Sequence, residues 1–220
     1  FSKFQCNTIL RAQGIAVPRG KSFFEEPNSD TFDQWKYPLF VKPNRSGSSF
    51  GVSRIETPEE FSAAFKEAQK EDKEVIVEEG ITGVEVGCGV LRANYDFASN
   101  KELDESATQS IAITEIVPTE STFFDYEAKY SGKSQEITPA RIPAETSATI
   151  EQISIRTYDV LGLKGIVRMD YIIDQKRGPV LIEVNSIPGL SPASIVPQQV
   201  AYRGWQLHHV LSVLAEEHIA

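Results

Sequence analysis

The stretch VLIEVNSIPGLS, residues 180–191, combines an apolar, β-branched run with two polar side chains, Glu183 and Asn185. Successive side chains of a strand point to opposite faces of a sheet, so residues two apart share a face. One face of this predicted strand therefore carries Glu183 and Asn185. The opposite face is predicted to carry Val180, Ile182 and Val184. The pattern indicates a strand whose polar face presents oxygen atoms.

The preceding strand, VRMDYIID at residues 167–174, has the same pattern, with Arg168 and Asp170 on one face. Turn-forming residues in the connection DQKRGP predict a hairpin. A symmetric hairpin places Asp170 opposite Glu183 and Arg168 opposite Asn185. Two facing carboxylates repel each other unless a cation lies between them, and Asp, Glu and Asn supply the oxygen ligands that Mg²⁺ prefers. A solvated sheet face with an ordinary Arg–Asp or Arg–Glu ion pair explains the pattern equally well.

The stretch FVKPNRSGSSFGVSRI, residues 40–55, predicts two strands joined by a flexible loop at residues 42–51. Glycine lets backbone N–H groups approach a phosphate closely, the serine hydroxyls add donors, and Lys42 adds a positive charge. A second strand follows the loop, which excludes the GxxxxGK[ST] phosphate loop because that loop leads into a helix. An ordinary turn is the alternative interpretation. A phosphate loop and a metal-binding face together indicate a nucleotide-dependent enzyme.

Helices and strands alternate along the rest of the chain, and a length of 220 residues predicts a fold with two lobes. Residues 57–60, Thr-Pro-Glu-Glu, have the spacing of a capping box, and the apolar stripe that follows is typical of a helix. That stripe consists of Phe61, Ala64, Phe65 and Ala68. Other helices are predicted at 2–13, 150–161 and 207–214, and strands at 37–42, 51–55, 75–78, 84–91, 111–117, 167–173 and 180–184. Residues 119–143 lack periodicity, and loops of this length are commonly functional lids.

Composition argues against several classes of protein. The 220 residues carry a formal net charge of −9 and 40% hydrophobic residues, which fits a globular protein and disfavours binding to nucleic acid or to anionic membranes. Cys6 and Cys88 match no disulfide or metal spacing, and no apolar run has the length of a membrane span. We therefore predict a cytoplasmic protein. The first residue is not Met, which suggests a fragment of a longer chain.

Five blocks, in this order and spacing, resemble the D-alanine:D-alanine ligases, a family of ATP-grasp enzymes. The blocks are KPNRSGSSFGVS, VEEGITGVEV, TFFDYEAKYSGKSQEITPA, GIVRMDYII and LIEVNSIPGLSPASIVP. The resemblance covers essentially the whole chain and implies an α+β, ATP-grasp fold, with two lobes whose antiparallel sheets grip ATP. Residues 1–77 would form the central lobe, and residues 78–220 the C-terminal lobe with a lid at 119–143. An N-terminal substrate domain would be absent from the chain.

The resemblance also implies a reaction. ATP would activate the carboxylate of one D-alanine as an acyl phosphate, and the amine of a second D-alanine would displace the phosphate to give D-alanyl-D-alanine, a precursor of peptidoglycan. Two Mg²⁺ ions would assist, with Mn²⁺ as an alternative. The full-length protein is expected to be a homodimer that takes small-molecule substrates and binds neither nucleic acid nor membrane.

The resemblance assigns nucleotide contacts position by position. The residues matched to the ATP phosphates are Lys3, Lys42, Ser48 and, in the lid, Lys129. The segment matched to the adenine hinge is Glu78, Glu79, Gly80 and Ile81. Glu85 matches the acid that binds the ribose hydroxyls. Without the resemblance, exposed lysines and a polar strand end would explain these residues.

The resemblance likewise assigns the metal and oxyanion contacts. Asp170, Glu183 and Asn185 match the metal ligands, so Glu183 would bridge both ions. Arg168 and the backbone N–H of Gly189 match the groups that stabilise the oxyanion formed when the amine attacks.

The second substrate is assigned to the segment that follows. Ser194 and the Ile195 N–H match the site for its carboxylate. Ser48 and Tyr130 match two members of a hydrogen-bonded set that orients the substrates, and the third member, a Glu, is expected on the absent domain. The lid sequence FDYEAKY, residues 124–130, contains no His, whereas related D-lactate-using ligases place a His there, so we expect an amino acid as second substrate. No catalytic role is expected for His208, His209 and His218.

Two alternatives remain open at this point. A D-alanine:D-serine ligase would carry nearly the same motifs. A nucleotide-binding module without turnover would keep the phosphate loop and the metal-binding face, because both lie within these 220 residues, but it would lack the first-substrate Glu. Phosphate release with D-alanine or D-serine distinguishes all three functions.

Overall fold

The computed structural model describes residues 1–118 and 134–219. These residues form two compact units, residues 1–82 and residues 83–118 together with 134–219, which we call the first and the second unit. The division follows the last strand of the first unit. The predicted boundary between residues 77 and 78 lies within that strand.

The first unit contains a four-stranded antiparallel sheet in the order β1-β4-β2-β3. Its elements are α1 (Lys3–Ala12), β1 (Gly20–Phe23), a 3₁₀ turn (Ser29–Phe32), β2 (Leu39–Pro43), β3 (Ser53–Ile55), a second 3₁₀ turn (Pro58–Glu60), α2 (Phe61–Glu71) and β4 (Val75–Glu79). The predicted apolar stripe of α2 is confirmed, because its buried residues are Phe61, Ala64, Phe65 and Ala68. This stripe packs against Leu39 and Val77 of the sheet, where a Leu→Ala change typically costs about 2–5 kcal/mol.

The predicted capping box at residues 57–60 is wrong. The N–H of Glu60 donates to the backbone carbonyl of Thr57 at 3.3 Å, not to its hydroxyl. The Glu60 carboxylate accepts the N–H of Glu56 at 2.7 Å, one residue earlier than a capping box requires. A 3₁₀ turn tightens the chain here, so the α-helix begins only at Phe61.

The second unit contains a five-stranded antiparallel sheet in the order β7-β6-β5-β8-β9. Its elements are β5 (Gly83–Asp96), β6 (Lys101–Pro118), β7 (Ser134–Ile137), α3 (Ala144–Val160), β8 (Ile166–Asp174), β9 (Gly178–Asn185), α4 (Ile195–Tyr202) and α5 (Leu207–Ile219). α3 packs on one face, where the Ser154 and Tyr171 hydroxyls lie 2.8 Å apart. α4 and α5 pack on the other face, against Leu91 and Ile166. No helix in the described ranges is long and apolar enough to cross a membrane.

This sheet is larger than the sequence predicts. β6 begins at Lys101 rather than near Ile111, because its first half is a polar ribbon paired with the end of β5, as in the pair Tyr95↔Glu102. β7 lies in the segment predicted to be irregular, and α4 lies where no helix is predicted. Both additions border the face of the sheet that carries Arg168 and Asp170.

Candidate functional site

The predicted phosphate loop, residues 42–51, is held to the start of α1 by a buried asparagine. Asn44 Oδ1 accepts a backbone N–H of α1 at 3.0 Å, and Asn44 Nδ2 donates to Glu74 Oε2 at 2.5 Å. Within the loop, Ser48 and Ser49 have φ values of 51° and 59°, a left-handed conformation that residues other than glycine seldom adopt. Strained backbone of this kind clusters at ligand-binding loops, and here it forms a tight turn on which Ser48 is exposed.

Two lysines flank this loop. Lys3 Nζ donates to the carbonyl oxygen of Ser46 at 2.5 Å. Lys42 is only 8% exposed, and its Nζ lies 2.6 Å from Glu78 Oε2. The other oxygen of Glu78 accepts a hydrogen bond from Asn7 Nδ2 at 2.9 Å. The first unit therefore brings both predicted lysines to one loop, and it uses the Glu78 carboxylate to hold Lys42.

The predicted adenine hinge, residues 78–81, continues from β4. Glu79 Oε1 accepts a backbone N–H of the segment before β1 at 2.9 Å, and the Gly80 N–H donates to Pro38 O at 2.8 Å. A Cβ atom at position 80 would lie 2.6 Å from that same carbonyl oxygen. Glycine is therefore required for this close approach, and Ile81 follows it in a partly exposed position.

In the second unit, the predicted hairpin register is confirmed. Asp170 pairs with Glu183, and Arg168 pairs with Asn185. Directly opposed residues of antiparallel strands share a face, so the four side chains lie on one face of the sheet, which we call the polar face. Gly87 of β5 lies opposite Asp170, and a Cβ atom there would lie 3.2 Å from Asp170 Oδ1. Glycine at this position gives the Arg168 and Asp170 side chains room above β5.

A β-bulge changes the predicted alternation along β9. The paired residues skip Ile182, so two residues of β9 oppose one residue of β8. Val180 lies opposite Ile172 and hence on the same face as Asp170. The predicted grouping of Val180, Ile182 and Val184 on the other face is therefore wrong.

Arg168 and Asp170 form a bidentate ion pair on the polar face. Arg168 Nε lies 2.7 Å from Asp170 Oδ1, and Nη2 lies 2.9 Å from Oδ2. Asn185 Nδ2 also donates to Oδ2, at 2.8 Å. The charge of Asp170 raises the pKa of Arg168, while burial acts in the opposite direction. The ion pair that the sequence offered as an alternative explanation is therefore present.

The oxygen atoms around Asp170 are of the kind that a hard cation binds, although some of them already accept hydrogen bonds from protein groups. Asp170, Glu183 and Asn185 offer the carboxylate and amide oxygens that Mg²⁺ prefers. Both Asp170 oxygens accept hydrogen bonds, and Asn185 turns its N–H group toward them, so a bound cation requires Asn185 to present Oδ1 instead. Within residues 1–118 and 134–219, no three His, Cys, Asp or Glu side chains form a metal-binding group, and the predicted set has two carboxylates and one amide.

Gly189, one of the two predicted oxyanion residues, and both predicted carboxylate-binding residues lie at the start of α4. Ser194 is the N-cap of this helix, and its Oγ lies 2.9 Å from Ser191 Oγ. A Cβ atom at position 189 would lie 2.7 Å from Ser194 Oγ, so Gly189 and Ser194 are in direct contact. Buried Ile195 begins the helix. The N-terminus of a helix carries N–H groups and a partial positive charge, which suit a carboxylate ligand.

The remaining predicted residues lie as follows. Glu85 is partly exposed on β5, opposite Ile172, and so belongs to the polar face. Lys129 and Tyr130 lie outside the described residues, and their roles stay predictions. His209 packs its ring edge-on to Tyr95, at 5.2 Å between ring centroids.

Sequence reasoning missed a group of polar residues that attach α4 to the sheet. Gln199 is fully buried, and its Nε2 donates to Gly87 O at 2.8 Å and to Thr114 Oγ1 at 3.0 Å. Gln198 Nε2 donates to Glu136 Oε2 at 2.7 Å. A proline-containing polar segment is typical of a loop, so the local sequence gives no signal for these contacts.

Comparison with known proteins identifies the family. Residues 17–216 match the family model described as D-ala D-ala ligase C-terminus. The chain is 37% identical over 219 residues to a D-alanine--D-alanine ligase of Phocaeicola vulgatus, which covers 98% of this chain and 64% of that protein. The chain spans about 64% of the length of the curated relatives that it matches first.

Solved structures of the same family share the fold. The VanG D-Ala:D-Ser ligase from Enterococcus faecalis matches with a TM-score of 0.81 and 35% identity over 98% of this chain and 60% of that chain. A D-alanine--D-alanine ligase from Bacillus anthracis complexed with ATP matches with a TM-score of 0.76 and 25% identity over 98% of this chain and 64% of that chain. The predicted α+β, ATP-grasp fold with antiparallel sheets is thereby confirmed. The family indicated by the five sequence blocks is confirmed as well, since this chain belongs to the D-ala D-ala ligase C-terminus family.

Proposed function

We propose that this chain carries the ATP-binding, metal-binding and second-substrate parts of an enzyme that joins two D-alanines into D-alanyl-D-alanine for peptidoglycan synthesis. One observation carries the proposal. The polar face of the second unit aligns Asp170 with Glu183 and Arg168 with Asn185, and Gly189 follows on the same chain segment in contact with Ser194. The names of the relatives support this assignment.

In this proposal the first unit binds the phosphates of ATP. Lys3 and Lys42 bring two positive charges to a loop whose tight turn is already formed, and Ser48 adds a hydroxyl donor. The hinge at residues 78–81 contacts adenine, and Glu85 binds the ribose hydroxyls. Lys129, in the predicted lid, adds a further charge. A relative solved as a complex with ATP supports the choice of nucleotide.

Asp170, Glu183 and Asn185 are the residues that would hold two Mg²⁺ ions, or Mn²⁺ in their place. The ions supply positive charge that offsets the charge on the phosphate oxygens. The chain contributes a fixed spacing, because the antiparallel pairing of β8 with β9 sets the positions of Asp170 and Glu183 before any ligand binds.

The remaining site residues act on the amino acids. A carboxylate oxygen of the first D-alanine attacks the γ-phosphorus and releases ADP, which leaves an acyl phosphate. The amine of the second D-alanine then attacks its carbonyl carbon, forms the C–N bond, and releases phosphate and a proton. Arg168 and the Gly189 N–H stabilise the oxyanion formed in the second step. Ser194 and the Ile195 N–H hold the carboxylate of the second D-alanine.

The whole protein is further proposed to be a cytoplasmic homodimer with an additional domain for the first substrate. The first and the second unit act as the two lobes predicted at residues 1–77 and 78–220, and the predicted lid at residues 119–143, apart from β7, excludes water from the acyl phosphate. Ser48 and Tyr130 orient the substrates when the lid closes. D-Alanine is the proposed second substrate, because the curated relatives carry that name.

Phosphate release by the whole protein tests this function. We expect release that depends on ATP, Mg²⁺ and D-alanine, with D-alanyl-D-alanine as the product, and a smaller rate when D-serine competes. Glu183→Gln should abolish most of this activity, whereas Glu105→Gln, an exposed charge-matched control on β6, should not. Release that is independent of D-alanine would contradict the proposal, and a preference for D-serine would favour the D-alanine:D-serine ligase.

A further inference from the structure

Glu136, a carboxylate with no role so far, lies on the polar face. It is in β7 and pairs with Ile116 of β6, and Ile116 also pairs with Glu85 of β5. Opposed residues share a face, so Glu136 and Glu85 point to the same side of the sheet as Asp170. β7 therefore places an acidic side chain at the edge of the proposed site.

A single side chain fixes Glu136 next to the start of α4. Gln198 Nε2 donates both to Glu136 Oε2 at 2.7 Å and to the carbonyl oxygen of Ala193 at 2.9 Å. Because both oxygen atoms bind the same nitrogen, the distance between them cannot exceed the sum of these two hydrogen-bond lengths. Ala193 immediately precedes Ser194, so the Glu136 carboxylate lies close to the proposed binding site for the second carboxylate.

The surroundings of Glu136 only partly stabilise the negative charge of its carboxylate. Burial raises the pKa of Glu136, whereas the hydrogen bond from Gln198 and the charge of Arg168 act in the opposite direction. Gln198 engages Oε2, and no residue in the described ranges donates a hydrogen bond to Oε1. By contrast, both oxygens of Asp170 and both oxygens of Glu115 are held by arginine. Glu136 thus has an oxygen atom left for a ligand.

An amino acid arrives with both charges, and its ammonium and carboxylate groups are only two bonds apart. A site that binds the carboxylate at Ser194 and Ile195 must therefore offer an anion nearby, because an unpaired ammonium loses its hydration at a large cost. We propose that Glu136 binds the ammonium group of the second amino acid and so positions its nitrogen, which attacks as the neutral amine once a proton has passed to the phosphate group of the acyl phosphate. This inference rests on the proposed function and names a residue that selects amino acids over hydroxy acids.

The test measures the whole protein with Glu136→Gln. Glutamine still accepts the hydrogen bond from Gln198, so α4 stays attached while the negative charge is lost. We expect the KM for the second D-alanine to rise about 10- to 100-fold, the value of one hydrogen bond to a charged group, while the KM for ATP stays the same. The rate with D-lactate, which has no ammonium group, should change little, so the ratio of ester to peptide product rises. Glu136→Asp, which keeps the charge, should restore part of the affinity.

The controls separate this inference from the proposed function. Glu105→Gln removes an exposed charge from the same sheet and should leave every constant unchanged. If wild-type protein shows no D-alanine-dependent phosphate release, the proposed function itself fails. If wild type is active and Glu136→Gln changes the KM for D-alanine less than about twofold, or weakens ATP, D-alanine and D-lactate equally, the ammonium site is refuted.

Discussion

Each unit contains a nearly buried ion pair, and the two pairs differ in their surroundings. In the first unit, Lys42 and Glu78 are 8% and 3% exposed, and the second oxygen of Glu78 is taken by Asn7. In the second unit, Arg168 binds Asp170 in a bidentate manner on a sheet face that carries further polar side chains.

From this difference we propose that the first pair has a structural role and the second a functional one. The Lys42–Glu78 pair is enclosed, so its main effect is to fix Lys42 at the start of the predicted phosphate loop. The Arg168–Asp170 pair contacts Asn185, whose amide can present either its N–H group or its oxygen. Breaking the first pair should therefore reduce stability, and breaking the second should reduce catalysis.

The largest expected effect comes from Glu78→Gln. This change leaves the buried Lys42 ammonium without its counter-charge, which typically costs about 3–5 kcal/mol. Urea denaturation of the 220-residue chain, followed by circular dichroism, measures the loss. The control is Glu67→Gln, which breaks the exposed pair with Lys70 and should cost about 1 kcal/mol or less. Equal costs for the two variants would mean that Lys42 is not effectively buried.

The second effect is catalytic. Arg168→Lys keeps the charge but loses the planar fork that binds Asp170, so the assigned oxyanion contact is misplaced. We expect kcat of the whole protein to fall about 10²- to 10³-fold in the phosphate-release assay. Arg92→Lys, in an exposed pair with Asp159, is the matched control and should retain full activity. A variant with normal kcat would remove Arg168 from the mechanism.

A smaller effect is expected from Gly80→Ala. The new Cβ atom would lie 2.6 Å from Pro38 O, so β4 and the hinge must shift, at a cost of about 1–3 kcal/mol. Nucleotide affinity should weaken together with stability if residues 78–81 contact adenine. Gly162→Ala, just after α3, strains a φ of 60° but lies outside the proposed nucleotide site, so it serves as the destabilised control in the same titration. Normal ATP affinity in a destabilised Gly80→Ala chain would move adenine away from this hinge.

The smallest expected effect is a difference in thiol reactivity between the buried cysteine of the first unit and that of the second. Burial raises the pKa of Cys6, in the first unit, to about 11 and that of Cys88, in the second, to about 12. Both thiols therefore stay protonated at pH 8, and labelling by iodoacetamide should be slow and should accelerate as the pH rises. Cys88 is fully enclosed, so mass spectrometry should show Cys6 reacting first. Faster labelling of Cys88 would mean that the second unit opens more readily.

Patterns within single segments of the sequence predicted helix α2 and the β8–β9 hairpin, because both structures depend on residues that are close together in the sequence. The stripe from Phe61 to Ala68 marked α2, and the turn between β8 and β9 fixed the pairing of Asp170 with Glu183. Apolar periodicity and turn chemistry are properties of a single segment, so one sequence reveals them. The proposed site residues on β8 and β9 could be predicted for the same reason, because they lie on this hairpin.

The features that were missed depend on distant partners. The first half of β6 is polar on both faces and forms a strand only because β5 pairs with it. Pro197 made the start of α4 resemble a loop, although proline is tolerated in the first turn of a helix. Glu136 and Gln199 are distant in sequence and meet the site only when β7 and α4 pack on the sheet.

The central claim is that the polar face of the second unit binds Mg²⁺ together with ATP. Titration calorimetry of the 220-residue chain with ATP, in the presence and absence of Mg²⁺, tests it most directly. We predict that Glu183→Gln strongly weakens ATP binding in Mg²⁺ and has little effect without Mg²⁺, while Glu105→Gln behaves as wild type in both conditions. Unchanged affinity and unchanged Mg²⁺ dependence in Glu183→Gln would contradict the assignment of this face as the metal site.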